Sequence, residues 1–208
     1  MGSYDVNGTL RDLQPAGSDW VGVDLEAGPS VDLVVAQTSR LPFADSTFDV
    51  VLASSVLEHD STFWLTFNEM VRVVKDGGYI YLNVPSNGLV HRHPVDVYRF
   101  YPDAGKALLD WGALTRPGLS LVESFVGLQN DGLWNDFCAV FGMNALTPEK
   151  FLHTDTPFNN LWLEGEFVSE TFEARTEDFR IILHQQVRIS ELENQLNQLR
   201  LEINRLTN

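Results

Sequence analysis

A chain of 208 residues with 29 acidic against 14 basic side chains carries a formal charge of −15. Such a field repels phosphate backbones and no lysine/arginine cluster offsets it, so a nucleic-acid partner is not expected. No apolar run approaches the roughly 18 residues that cross a bilayer and no signal peptide is visible, so no membrane span is expected. The single cysteine, Cys138, cannot form an internal disulfide, which suits a reducing, cytoplasmic location. A hydrophobic share of 44% with 11% aromatics is enough for one full core with chain left over.

The chain opens on Met1-Gly2-Ser3-Tyr4-Asp5-Val6-Asn7-Gly8, a glycine-bearing turn. Thr9 to Gln14 reads as a short helix ended by Pro15, and Trp20 to Asp24 as a strand with Asp24 at its carboxyl end. A carboxylate there can accept both ribose hydroxyl protons, as in nucleotide-binding βαβ units; the alternative is a loop acid capping the next turn. Val31 to Ala36 is the next strand. Phe48 to Ala53 is a nearly continuous apolar run, which predicts a strand covered on both faces of a parallel sheet. Ser54 and Ser55 follow at its carboxyl end, where open α/β sheets bind ligands. Ser61 or Thr62 is a plausible N-cap. Phe63, Phe67, Met70, Val71 and Val74 then recur at helical spacing, and Asp76-Gly77-Gly78 supplies a glycine stop. Tyr79 to Val84 is a strand, Ala104 to Trp111 a helix, and Leu119 to Phe125 and Phe137 to Gly142 are further strands.

The most individual stretch is His91-Arg92-His93-Pro94-Val95-Asp96-Val97-Tyr98-Arg99-Phe100-Tyr101-Pro102. It reads as a lid with aromatics to stack on a sugar or ring. His91 or His93 is the expected general base with Asp96 orienting it, since a base that titrates near neutrality serves proton removal best. Tyr98 and Tyr101 would contact the acceptor, and Arg99 could bind a carboxylate or phosphate on it. An Asp96–Arg99 ion pair pinning the lid is the equal alternative. Two histidines at i, i+2 invite a metal, but no cysteine or second histidine pair completes a site, so no metal is expected. Glu58 and His59 are read as bracing the loop or capping the following helix.

From Thr147 to about Phe172 prolines, asparagines and a glycine interrupt any pattern. The chain therefore divides into a domain at 1–146, a linker or arm at 147–175 and a helix at 176–208. In that helix Ile182, Ile189, Leu196 and Ile203 recur every seven residues, with Leu192, Leu199 and Leu206 three further on. Isoleucine mostly at a with leucine at d favours a parallel two-stranded coiled coil, and Arg188 at g could meet Glu193 at e of a partner copy. A homo-oligomer is expected; a single helix folded back on its own domain is the alternative.

VGVDL (Val21–Leu25), LPF (Leu41–Phe43), FDVV (Phe48–Val51), VLEH (Val56–His59) and DGGYIYLNVPS (Asp76–Ser86), in that order, resemble the class I S-adenosylmethionine-dependent methyltransferases over roughly Gly2 to Asn144. The resemblance implies an α/β, Rossmann-like sheet that lacks its first strand in this chain, and S-adenosylmethionine as cofactor. By resemblance Gly2, Asp5 and Asn7 wrap the cofactor, Asp24 binds its ribose, Gln37 and Thr38 border the adenine, and Ser54 and Ser55 border the methionine end. Gln37 departs from the aspartate usual at its place. The segment from His93 to Leu109 resembles a loop and helix of methyltransferases encoded with bacterial surface-polysaccharide genes, which implies O-methylation of a sugar hydroxyl. A small-molecule acceptor such as a phenol or quinone, and a non-catalytic assembly module, are the alternatives.

Overall fold

In the computed structural model, the residues described are 1–6, 8–127, 135–146, 162–163, 166–167 and 177–207. Asn7, most of the 147–175 arm and the side chain of Leu206 lie outside them. Contacts divide the chain into Met1–Glu170 and Thr171–Asn208.

The first unit is built on two sheets. Strands β1 (Val23–Asp24) and β2 (Leu33–Val34) pair in parallel. The larger sheet has the order β3-β4-β6-β5-β7-β8, from β3 (Phe48–Ser54), β4 (Val74–Pro85), β5 (Leu119–Gly127), β6 (Asp136–Met143), β7 (Trp162–Leu163) and β8 (Glu166–Phe167). β3 and β4 run parallel, while β6 is inserted antiparallel between β4 and β5. The chain's first residues lie between the two sheets: the Met1 amine donates to the Leu52 carbonyl (2.6 Å) and the Ser3 amide to the Val23 carbonyl (3.3 Å).

Cross-strand register explains the core. Val51, Ile80, Phe141 and Leu121 form one row across β3, β4, β6 and β5, and Ala53, Leu82 and Ala139 form the next. All are buried. Helix α1 (Phe63–Val73) sits on this face, its Phe67 ring 5.0 Å from that of Phe141, and packs against α2 (Ala104–Thr115). The same period of two turns the intervening side chains the other way, and there Val50 is 52% exposed. This corrects the expectation of a strand covered on both faces: both helices stand on the Val51 side. The reverse face is more polar. Ser54 Oγ donates to Asn83 Oδ1 (3.3 Å), Asn83 Nδ2 to Asp136 Oδ2 (3.2 Å), and Tyr81 and Cys138 meet beside them.

A second correction concerns Asp76-Gly77-Gly78. The helix ends at Val73, and β4 starts at once with Val74 opposite Phe48. The register then shifts before Val50 pairs with Tyr79, so the glycines form an irregularity inside the strand, with Gly77 at φ +80°. The N-terminus of α1 is organised by Asp60, whose Oδ1 accepts from the Thr62 amide (2.8 Å) and hydroxyl (3.1 Å); the Thr62 side chain makes no cap bond of its own.

The second unit carries α3 (Glu177–Thr207). Ile182, Ile189, Leu192, Leu196, Leu199 and Ile203 are each about half exposed, values from 47% to 58%. No helix among the described residues is long and apolar enough to cross a membrane.

Candidate active site

Gly2 lines a cleft, and Asp24 is tied to that lining through the Tyr4 amide rather than bordering it. Gly2 has φ +66°, and a Cβ there would stand 2.5 Å from both the Ser54 carbonyl oxygen and Val56 Cγ2. Only glycine lets the opening turn approach the end of β3 this closely. Asp24 stands at the carboxyl end of β1, where Oδ2 accepts from the Tyr4 amide (3.0 Å) and Oδ1 from the amides of Leu25 (2.7 Å) and Glu26 (3.3 Å). Asp5 braces the same turn by accepting from the Gly8 amide (2.9 Å). Between β1 and β3 lies a cleft of about 260 Å³ bordered by Gly2, Tyr4, Gly8, Gly22 and Ser54. That is below the roughly 300 Å³ at which drug-sized ligands are usually enclosed, so it can hold one part of a nucleoside cofactor rather than all of it.

Other residues expected at the cofactor fall around this cleft unevenly. Ser55 is exposed, turns the chain sharply at φ +52° and donates its amide to the Asn83 carbonyl (2.9 Å). Gln37 is exposed. The Thr38 hydroxyl is directed to Thr66 (2.8 Å) and Asp60 (3.3 Å) under the start of α1.

The loop after β4 is stitched to the end of β3. The Glu58 carbonyl accepts from the amides of Val97 (2.8 Å) and Tyr98 (3.3 Å), and the Pro85 carbonyl accepts from the Phe100 amide (3.1 Å). Aromatic packing adds to this: Tyr98 and Phe100 lie 4.9 and 5.2 Å from Phe63, and the Tyr98 hydroxyl donates to the Ser61 carbonyl (3.3 Å). Tyr98 therefore anchors the loop, while Tyr101 is exposed. Arg99 grips Asp96 with two hydrogen bonds and also reaches the carbonyls of Tyr98 (2.8 Å) and Leu89 (3.0 Å), so the pinning ion pair is present. That guanidinium holds the Asp96 carboxyl well below the usual carboxylate range.

His91 and His93 part company. His93 is exposed. His91 has its Nδ1 3.3 Å from Asp96 Oδ2 and its ring centre 4.7 Å from that of His59. His59 in turn has Nε2 3.6 Å from Oε1 of Glu58, a carboxylate with no exposed surface. Burial pushes the Glu58 carboxyl up to about 7. No periodicity marks this carboxylate: Glu58 follows the buried Leu57 in a turn, where neither helical nor strand spacing assigns a face.

An open α/β sheet with a polar cleft at its strand ends is the architecture in hand. Residues 7–82 match the family described as methyltransferase domain. An uncharacterized methyltransferase of Mycobacterium sp. (strain JLS) is 41% identical over 76 residues, covering 32% of this chain and 30% of its own length. One from Mycobacterium leprae (strain TN) is 38% identical over 79 residues, covering 33% and 29%. The matched stretch thus spans under a third of the curated relatives' length. Among solved structures, a protein of Pyrococcus horikoshii OT3 aligns with a TM-score of 0.45 at 15% identity, over 64% of this chain and 74% of that one. The 1,6-didemethyltoxoflavin-N1-methyltransferase of Burkholderia thailandensis aligns at 0.44 and 16%, over 57% and 58%. The family match contains Asp24, Gln37, Thr38, Ser54, Ser55, Glu58 and His59 and stops short of His91.

Proposed function

We propose that this chain is an S-adenosylmethionine-dependent methyltransferase acting on an oxygen acceptor, a sugar hydroxyl of a bacterial surface glycan. The observation that carries the reading is Asp24 at the end of β1, tied through the Tyr4 amide to the Gly2 turn, which itself rests on Ser54. With three amides already on its oxygens, Asp24 keeps about one acceptor site, on Oδ2, for a ribose hydroxyl, while Gly2, Gly8 and Ser54 line the cleft. The cofactor supplies a methyl group made electrophilic by a sulfonium centre.

The protein's own task is positioning and proton removal. The acceptor oxygen would be held in line behind the methyl that the bound cofactor would supply, with sulfur as the leaving group. The hydroxyl proton passes to a loop histidine, His93 or His91, and Asp96 orients His91. Tyr101, exposed on the same loop, offers a stacking face for the acceptor. The exposed apolar stripe of α3 supports assembly as a homodimer through a parallel coiled coil.

Titration calorimetry with S-adenosylhomocysteine tests the cofactor reading. Binding on the order of micromolar is expected, weakened about 10-fold or more in Asp24→Ala, which corresponds to about 1.4 kcal/mol. Absence of heat with the native chain would overturn it and leave the non-catalytic assembly module. Incubation with labelled cofactor and either a glycan or a phenol then separates the two acceptor classes.

A further inference from the structure

We propose that Glu58, His59 and His91 form a binding site for one divalent transition-metal ion of zinc's class. One ligand atom from each lies within 4.8 Å of the others. Glu58 Oε1 stands 3.6 Å from His59 Nε2. Ligands at ~2.1 Å from a tetrahedral ion stand about 3.4 Å apart, so this pair already spans one edge. The His91 ligand atom, within 4.8 Å of the other two, has up to about 1.4 Å to close to reach the same spacing.

Hydrogen bonding fixes what these atoms offer. His59 Nδ1 is bonded to the Val95 carbonyl, which can only accept, so the ring proton sits on Nδ1 and Nε2 presents its lone pair. That lone pair faces a carboxylate oxygen. Two acceptors this close need a cation between them: a metal, or a proton on Glu58. Neither Glu58 oxygen has a hydrogen bond within 3.5 Å, although the side chain is fully buried. A buried carboxylate left so is costly unless something compensates it.

The surroundings have the form of a metal shell. Ligating histidines characteristically direct their other ring nitrogen to a backbone carbonyl or a carboxylate. His59 does the first with Val95, and His91 Nδ1 lies 3.3 Å from a carboxylate oxygen of Asp96, whose orientation Arg99 secures. Two imidazoles and one carboxylate are a donor set for zinc or ferrous-type ions rather than magnesium or calcium, and leave a further position open for water or a hydroxyl oxygen. The sequence weighed only His91 with His93, whereas the partners of His91 come from the end of β3, some thirty residues earlier. With His91 as a ligand, His93 alone remains as the loop base.

Metal binding at these three residues does not depend on methyl transfer and is measured directly. Full-length protein stripped with chelator is dialysed against zinc sulfate, and bound zinc is counted by elemental analysis alongside the change in Tm. One equivalent and a raised Tm are expected, both lost in Glu58→Gln and in His91→Ala, and both retained in His184→Ala on α3. Cobalt substitution should give the visible absorption of a four-coordinate nitrogen/oxygen site. Should Glu58→Gln fail to fold, His91→Ala on the irregular loop still decides. No zinc above the level of His91→Ala, or equal loss in His184→Ala, overturns the proposal and leaves a protonated Glu58 donating to His59.

Discussion

Asp96 and Arg99 form a two-point ion pair inside the loop after β4, with Nη1 2.6 Å from Oδ1 and Nη2 2.8 Å from Oδ2, and the Asp96 side chain only 2% exposed. Removing one member of a buried pair strands the other, at a cost of about 3–5 kcal/mol. Arg99→Ala should therefore lower the urea midpoint at pH 7 substantially. Because Arg99 depresses the Asp96 pKa, the native state binds this proton less readily than the unfolded chain. The pair's contribution is fully present above the usual carboxylate range and declines as pH falls below about 4. The gap between native and Arg99→Ala stability should narrow on acidification; a gap that widens there contradicts the assignment.

Arg72 performs a comparable service for the LPF turn. From α1 it donates to the carbonyls of Phe43 (2.8 Å) and Leu41 (3.1 Å) and to both oxygens of Glu69, while Glu69 Oε2 accepts from the Leu41 amide (2.7 Å). Arg72→Ala leaves two carbonyls to find water and should destabilise by about 2 kcal/mol. Lysine cannot reproduce a fork that spans several acceptors, so Arg72→Lys should recover less than half. Chemical denaturation of both variants checks this, and a neutral Arg72→Ala would show the turn to be held by packing alone.

Much of this architecture was legible in the sequence because it follows from periodicity. Strands Phe48–Ser54, Leu119–Gly127 and Asp136–Met143 and both domain helices fall where alternation and helical spacing place them. What escaped was set by tertiary context. Phe48 to Ala53 is apolar but for Asp49, so its composition did not reveal that one face would stay half open at Val50. Gly77 and Gly78 carry the composition of a helix stop, but the pairing of Val74 with Phe48 captures the chain into β4 before they are reached. The site divides likewise. The placement of Asp24 at a strand end and of Gly2 in a turn was readable from local patterns, whereas the juxtaposition of His91 with Glu58 and His59 depends on loop hydrogen bonds that no local pattern encodes.

Gly105 marks where α2 approaches the sheet. A Cβ there would lie 2.6 Å from Ser124 Cβ on β5, a stiff atom whose own hydroxyl donates to the Pro102 carbonyl (2.7 Å). Gly105→Ala gains helix propensity of up to about 1 kcal/mol but must push the helix from the sheet, an overpacking cost of about 1–3 kcal/mol. A net loss of stability is expected. Pairing it with Ser124→Gly should restore part of that loss, and thermal melts of the single and double variants measure the coupling. If the alanine variant is more stable than the native protein, the contact is looser than the geometry implies.

The exposed stripe of α3 makes the last prediction. Ile182, Ile189, Leu196 and Ile203 stand at one heptad position and Leu192 and Leu199 at another, all half in contact with solvent in the single chain. A 31-residue helix whose apolar seam repeats every seven residues buries that seam by supercoiling with a second copy. Only about three heptads are complete, so the association should be weak and concentration-dependent. Light scattering should give a mass that rises with concentration toward twice 23.4 kDa. Leu192→Asp should hold it near one chain while leaving the Tm of the first unit unchanged. A native protein that stays monomeric at high concentration, or an aspartate variant that still dimerises, would show that the stripe serves some other contact.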